Sequence, residues 1–121
     1  MAADASDIQP YLNTILPGLK ATIKDPIPDV RATSSKAMGS LIAGMKQDKI
    51  EDLIEWLQNS MKEDSSTPER SGSAQALSEV LVALGSQRAT ATLGHMLQYS
   101  SHPSPFVREG VIWLLCFMPV A

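Results

Sequence analysis

The sequence predicts an all-α fold in which helical hairpins stack into a superhelix. Three similar stretches recur along the chain, and their arginines, Arg31, Arg70 and Arg108, are separated by 39 and 38 residues. Between these stretches, apolar residues recur at the three- and four-residue spacings of amphipathic helices. Aromatic residues make up only 5% of the chain, which favours helices over sheets. A period near 40 residues that holds two helices indicates a solenoid of the HEAT or armadillo type.

The first two helices are expected at about 10–24 and 28–45. Pro26 and Pro28 separate them, because the residue before a proline avoids the helical conformation. Pro17 lies inside the first helix and predicts a kink or a restart there, because proline lacks the backbone donor.

The third and fourth helices are expected at about 49–62 and 68–84. The third has the clearest apolar stripe, formed by Ile50, Leu53, Ile54, Leu57 and Met61. Thr67 is the expected N-cap of the fourth helix, with Pro68 at the first helical position. Gly85 is the expected C-terminal stop.

The fifth and sixth helices are expected at about 87–99 and 105–118. The fifth is less apolar than the others, whereas Ser104 and Pro105 supply a cap and a first position for the sixth. The six helices then form three hairpins of a single HEAT-repeat segment, each burying one face on the next, and we expect the segment to be part of a longer array. The expected hairpin boundaries are 9–46, 48–85 and 86–119.

The recurring arginines predict a structural ladder between hairpins. An aspartate six residues before an arginine would lie in the turn of the hairpin and accept its backbone amides, while the arginine reaches the aspartate of a neighbouring hairpin. The predicted ladder residues are Asp25, Arg31, Asp64, Arg70 and Arg108. His102 replaces the third acid, so the last contact should be weaker. The alternative is that the three arginines form a stripe that binds phosphates or acids.

Composition and motifs argue against chemistry at a site in this chain. The formal net charge is −3 and no basic field emerges, so a direct nucleic-acid site is not expected. His95 and His102 have no partner at metal-ligand spacing, and no nucleotide-binding or nucleophile motif is present. We therefore expect no catalytic residue, no cofactor, no metal and no small-molecule substrate.

Three further residues or groups have predicted roles. Trp56 interrupts the acidic face of the third helix and is either packed by the next hairpin or an exposed partner-binding anchor. The single cysteine, Cys116, is expected to be a core thiol in a reducing compartment. Three glycines, Gly39, Gly72 and Gly110, are expected to let neighbouring helices approach closely.

The C-terminal apolar run, residues 111–121, is too short to span a membrane and is read as a core helix. No polar closing helix follows it, which predicts exposed apolar area and self-association. The N-terminus lacks the pattern of a signal peptide.

The chain also resembles a known family. The blocks DPIPDVRATSSKAMGSLIAGM (25–45), IEDLIEWLQNSM (50–61) and ERSGSAQALSEVLVALG (69–85) are similar to the central part of the large general-control translational activators, which is related to the HEAT region of fungal elongation factor 3.

The resemblance implies a long, non-catalytic, cytoplasmic HEAT scaffold. Its implied partners are the ribosome and an ATP-binding-cassette protein. Through another region it would activate the kinase that phosphorylates the alpha subunit of translation initiation factor 2 when amino acids run short. The alternative function is a generic HEAT adaptor of the transport-receptor or phosphatase-scaffold type.

Overall fold

The computed structural model describes residues 5–119, which form helices, turns and loops without a strand. The α-helices are α1 (Leu12–Thr22), α2 (Pro28–Ser40), α3 (Gln47–Ser60), α4 (Thr67–Leu84), α5 (Ser86–Leu97) and α6 (Pro105–Phe117). Short 3-10 helices occupy Ala5–Tyr11, Ile42–Gly44 and Gln98–Ser101. The predicted all-α fold of HEAT-like helical hairpins is confirmed.

Helix α4 occupies the centre of the fold. It packs between α2 and α6, and it also contacts α3 and α5, while α1 packs on α2. Ten of its residues are buried, including Leu77, Val80 and Leu81, which are fully shielded from solvent. Burying each such side chain contributes about 1.5–3 kcal/mol. The second helices of the hairpins therefore form one continuous row, α2–α4–α6, held together through α4.

Several predicted helix boundaries differ in the structure. Helix α2 ends at Ser40 rather than at about 45, and the short 3-10 helix Ile42–Gly44 follows it. The sequence predicts a kink or a restart at Pro17; helix α1 continues through it, so the restart is wrong, and the kink stays a prediction. Pro17 removes only the donor to the Asn13 carbonyl, and both residues are exposed, so water can satisfy that oxygen. The N-cap of α4 is Ser66, whose hydroxyl accepts from the Glu69 amide at 3.3 Å, and the predicted cap, Thr67, is instead the first helical residue.

Gly85 ends α4 as predicted, because its φ of 104° lies in the region that side chains with a Cβ rarely adopt. Helix α5 then begins at the next residue, so this connection between hairpins is a single glycine.

Two glycines in the row of second helices touch backbone of the preceding hairpin. A Cβ on Gly72 would overlap the carbonyl oxygen of Ile23, the C-cap residue of α1. In the same way, a Cβ on Gly110 would overlap the carbonyl oxygen of Met61, the C-cap residue of α3. A Cβ on Gly39 would lie 3.0 Å from the Glu79 carbonyl oxygen. The predicted close approach at these glycines is confirmed.

Replacing Gly72 by alanine should destabilise the fold by about 1–3 kcal/mol, because the added methyl forces α4 away from backbone that cannot yield. The matched control is Gly94→Ala in α5, where a Cβ meets nothing within 4 Å. That substitution should stabilise by up to about 1 kcal/mol, as expected for glycine inside a helix. Urea unfolding of the two variants measures both changes in the free energy of unfolding. Equal changes of the same sign would contradict the close approach at Gly72.

Candidate functional site

The first predicted ladder residue, Arg31, binds the turn that precedes its own helix. Its Nη1 donates to the carbonyl oxygens of Asp25 at 2.8 Å and Pro26 at 3.0 Å. The carboxylate of Asp25 accepts from the Ile27 amide at 2.8 Å. The aspartate therefore closes its own turn, as expected, and the arginine fastens that turn to α2 through backbone carbonyls.

Arg108 repeats this arrangement in the third hairpin. Its Nη1 donates to the carbonyl oxygens of His102 at 2.7 Å and Pro103 at 2.9 Å. The His102 ring takes the place of the aspartate, because its Nδ1 accepts from the Ser104 amide at 3.0 Å. An imidazole nitrogen thus performs the turn-closing role that a carboxylate oxygen performs in the first hairpin.

Arg70 makes the turn contacts and also joins two hairpins. Its Nη1 donates to the carbonyl oxygens of Glu63 at 3.2 Å and Ser65 at 2.7 Å. Its Nε and Nη2 each lie 2.6 Å from Oε2 of Glu109 on α6. The guanidinium carbon also lies 4.8 Å from the centre of the Phe106 ring. Arg70 is only 5% exposed, whereas the Glu109 side chain is 31% exposed, so the ion pair is shielded from water mainly on the arginine side.

The acceptors in the structure differ from the predicted ladder acceptors. Among residues 5–119, the only carboxylate that binds one of the three ladder arginines is Glu109, and neither Asp25 nor Asp64 makes an inter-hairpin ion pair. The carboxylate of Asp25 is taken up by the Ile27 amide of its own turn, and the carboxylate that reaches Arg70 comes instead from Glu109 near the start of α6. Asp64 itself is exposed.

Glu109 is held in its charged form by the groups around it. Its burial alone would raise the pKa of the carboxyl, but hydrogen bonds from Arg70 and Thr67 outweigh that effect and hold the pKa below its ordinary value. Thr67 donates to Oε1 at 3.0 Å and accepts from Nη2 of Arg70 at 3.4 Å, so its hydroxyl contacts both members of the ion pair.

A second ion pair links the first helices of the second and third hairpins. Arg88 on α5 donates to both carboxylate oxygens of Glu51 on α3, with an Nη2–Oε2 distance of 2.8 Å. The hydrogen bonds lower the pKa of Glu51 and raise that of Arg88. Because both side chains are about two-fifths exposed, the pair contributes only about 0–1 kcal/mol. Arg88–Glu51 and Arg70–Glu109 are separated by 37 and 39 residues, so a search for opposite charges one period apart could have found both.

Trp56 is half-buried and packs against the core. The ammonium groups of Lys20 and Lys24, which belong to the preceding hairpin, lie 4.7 and 5.0 Å from the centre of its ring. Each cation–π contact at such a site contributes about 0.5–1 kcal/mol. The exposed part of the indole remains a predicted partner contact.

Cys116 is exposed, so the prediction of a core thiol is wrong. Helix α6 buries its opposite face, which includes Gly110, Val111 and Leu114. Cys116 lies instead on the outer face with Ile112 and Leu115, which are 55% and 43% exposed. The expected exposed apolar area is therefore present on α6.

The residues that the structure describes contain no group of three metal-ligating side chains. Over the same range, no helix is both long and apolar enough to cross a bilayer.

Replacing Glu109 by glutamine should remove a pH-dependent part of the stability. The pKa of this carboxyl is lower in the folded chain than in the unfolded chain, where it is about 4.3. The carboxylate therefore stabilises the fold fully at pH values above the unfolded-state pKa. This stabilisation is lost as the pH falls through the folded-state pKa. The stability difference between the unmutated chain and Glu109→Gln should therefore shrink between about pH 6 and pH 3. Urea unfolding across that range measures it, with Glu55→Gln at an exposed site on α3 as the control. A difference that is constant with pH would contradict the assignment.

Comparison with known proteins gives relatives along nearly the whole chain. No protein-family model and no solved structure matches it. The chain is 40% identical over 118 residues, 98% of its length, to "eIF-2-alpha kinase activator GCN1" of Dictyostelium discoideum. It is 40% identical over 119 residues to "Protein ILITYHIA" of Arabidopsis thaliana and 37% identical over 119 residues to "Stalled ribosome sensor GCN1" of Homo sapiens. The chain spans about 4% of the length of each relative. These relationships confirm the resemblance to the general-control translational activator family, and they make this chain a homologue of one short segment of those proteins.

Proposed function

We propose that this chain is a non-catalytic scaffold segment of a translational activator that promotes activation of the eIF-2-alpha kinase under amino-acid starvation. The observation that carries the proposal is the 40% identity over 98% of the chain to a relative named as an activator of that kinase. The relatives' names describe an activator and a sensor of stalled ribosomes, which supports regulation by binding. The segment would act in the cytoplasm as part of a longer array.

The proposed partners are the ribosome and an ATP-binding-cassette protein, with the kinase bound through another region. The name of the human relative supports the ribosome as a partner. The other two partners rest on the family resemblance.

The internal contacts suit a segment that holds its neighbours at fixed positions. Arg70 ties α4 to α6 by two short contacts to one carboxylate, and Gly72 and Gly110 set the spacing between hairpins against rigid backbone. Because Arg70 is buried, sliding of α6 along α4 would leave its charge without a carboxylate partner, so the ion pair resists sliding better than apolar contact alone. The segment would thus transmit the position of one end of the stack to the other.

Trp56 is our candidate for direct partner contact. It is a large, half-buried aromatic side chain on α3, and two lysines already restrict its position. Aromatic anchors that are held in place before binding lose little freedom when a partner covers them.

A segment exchange in Dictyostelium discoideum tests the proposal. The 118-residue homologous segment of the relative is replaced by this chain, and phosphorylation of the eIF-2 alpha subunit is measured after amino-acid withdrawal. We expect deletion of the segment to lower this phosphorylation, and the exchange to restore most of it. The exchange carrying Trp56→Ala should lower the response, whereas Tyr11→Ala, at a 61% exposed site, should not.

Ribosome co-sedimentation of the same exchanged proteins gives the second readout. An exchanged protein that accumulates normally but neither sediments with ribosomes nor supports phosphorylation would contradict the proposal. That outcome would favour a generic HEAT adaptor.

A further inference from the structure

Two recesses lie side by side between α1 and α3, the first helices of the first two hairpins. These helices do not pack closely on each other, and the recesses between them have volumes of about 250 and 190 Å³. Both recesses are lined by Leu12, Asn13, Leu16 and Lys49, so they form one continuous surface groove, which we call the α1–α3 groove.

The α1–α3 groove has an apolar floor and a basic rim. Three leucines form the floor, of which two are buried and one is half-buried: Leu12, Leu53 and Leu16. The rim has three lysines and one acid: Lys20, Lys46, Lys49 and Asp52. In the range 8–119, no carboxylate lies within ion-pair distance of any of these lysines. The groove therefore offers apolar surface beside cations that the described acids do not pair with.

The first helices can be aligned with one another by their buried residues. Ile23 and Met61 are the buried C-cap residues of α1 and α3, and the carbonyl of each abuts a glycine of the following second helix. Helices α1 and α3 therefore align at an offset of 38 residues. The fully buried residues Leu57 and Met96 align α3 with α5 at an offset of 39.

The residues that bridge α3 and α5 have counterparts in the α1–α3 groove. Glu51 and Arg88 form the bridging ion pair, and the same alignment gives Asn13 and Lys49 as their counterparts. Both counterparts line both recesses. The cation is thus kept in the groove, whereas a neutral amide stands where the carboxylate would be. An ion pair closes the contact between α3 and α5, and the α1–α3 groove stays open.

The charge and shape of the groove select one kind of occupant. Each recess is smaller than the roughly 300–1,000 Å³ of a typical small-molecule pocket, so the groove suits side chains of a partner. A nucleic acid would bring phosphates towards Asp52 and leave the leucine floor uncovered, on a chain whose net charge is −3. An amphipathic helix with acidic residues covers the leucines with its apolar face and brings carboxylates to the lysines.

We propose that the α1–α3 groove binds an acidic amphipathic helix of a partner protein. A carboxylate of the partner contacts Lys49 as Glu51 contacts Arg88, and its apolar side chains lie on Leu12, Leu16 and Leu53. The binding surface extends towards Trp56, because Lys20 on the rim also lies over the Trp56 ring. The inference deepens the proposed scaffold function and rests on it for the partner being a protein.

Peptide selection on the purified chain tests the proposal. A displayed library of helical peptides keeps leucines along one face and has random residues at all other positions. We expect the selected peptides to be enriched in aspartate and glutamate, because the groove presents unpaired lysines beside its apolar floor. A selected peptide is then labelled with a fluorophore, and its affinity for the chain is measured by fluorescence anisotropy.

Asn13→Glu supplies the carboxylate that Glu51 supplies between α3 and α5. It should weaken peptide binding by about tenfold, because the new acid pairs with Lys49 and repels the acids of the peptide. The matched control is Thr14→Glu, which adds the same charge at an exposed neighbouring position that does not line the groove, and which should weaken binding by less than about threefold. Urea unfolding verifies that both variants fold, and Asn13→Glu should have an equal or higher midpoint.

Four outcomes would overturn the proposal. They are the absence of any enriched peptide, enrichment of neutral or basic peptides, equal weakening by Asn13→Glu and Thr14→Glu, and displacement of the peptide by a uridine oligonucleotide or by inorganic phosphate. Displacement would make a phosphate the occupant. Because the purified chain is used, failure here leaves the outcome of the segment exchange unaffected. Peptide binding together with a failed segment exchange would overturn only the function in translational control.

Discussion

Arg70 is the side chain on which both the turn before α4 and the contact between α4 and α6 depend. It is 5% exposed, and its Nη1 donates to two carbonyl oxygens of the turn. Its Nε and Nη2 contact one carboxylate oxygen of Glu109. Only a planar, permanently charged group with several fixed donors can make these contacts together, so lysine cannot substitute for it. Because α4 is the helix against which α2, α3, α5 and α6 pack, the position of Arg70 affects the whole stack.

The three hairpins share the arginine's turn contacts and differ in what the guanidinium does beyond them. Arg31 has Ser71 at the position equivalent to Glu109 in the covering helix, and Arg108 meets no carboxylate among the described residues. The hydrogen bonds from each arginine to the carbonyl oxygens of the preceding turn are therefore common to the three hairpins. The ion pair between hairpins occurs at one interface of the described residues. Such local differences give a stack of similar units unequal interfaces.

Much of the fold could be predicted because helices, turns and close approaches leave local signals. Apolar spacing located all six helices, and Gly85, Gly72 and Gly110 were read correctly because only glycine suits those positions. The ladder acceptor leaves no local signal, because Glu109 lies one period away from Arg70, whereas the local Asp-to-Arg spacing indicates Asp25 and Asp64. Cys116 was misplaced because periodicity shows that a helix has an apolar face but does not show whether anything covers it.

The most direct test of this account is a double-mutant cycle on Arg70 and Glu109, using Arg70→Met, Glu109→Gln and the double variant in urea unfolding. We expect a favourable coupling energy of about 0.5–3 kcal/mol, because the two groups are in contact and the Arg70 side chain is only 6% exposed, with that of Glu109 at 31%. It also predicts that Arg70→Met alone destabilises more than Glu109→Gln alone, since only the arginine holds the turn carbonyls. A coupling energy within about 0.3 kcal/mol of zero would contradict the claim that this pair joins the hairpins.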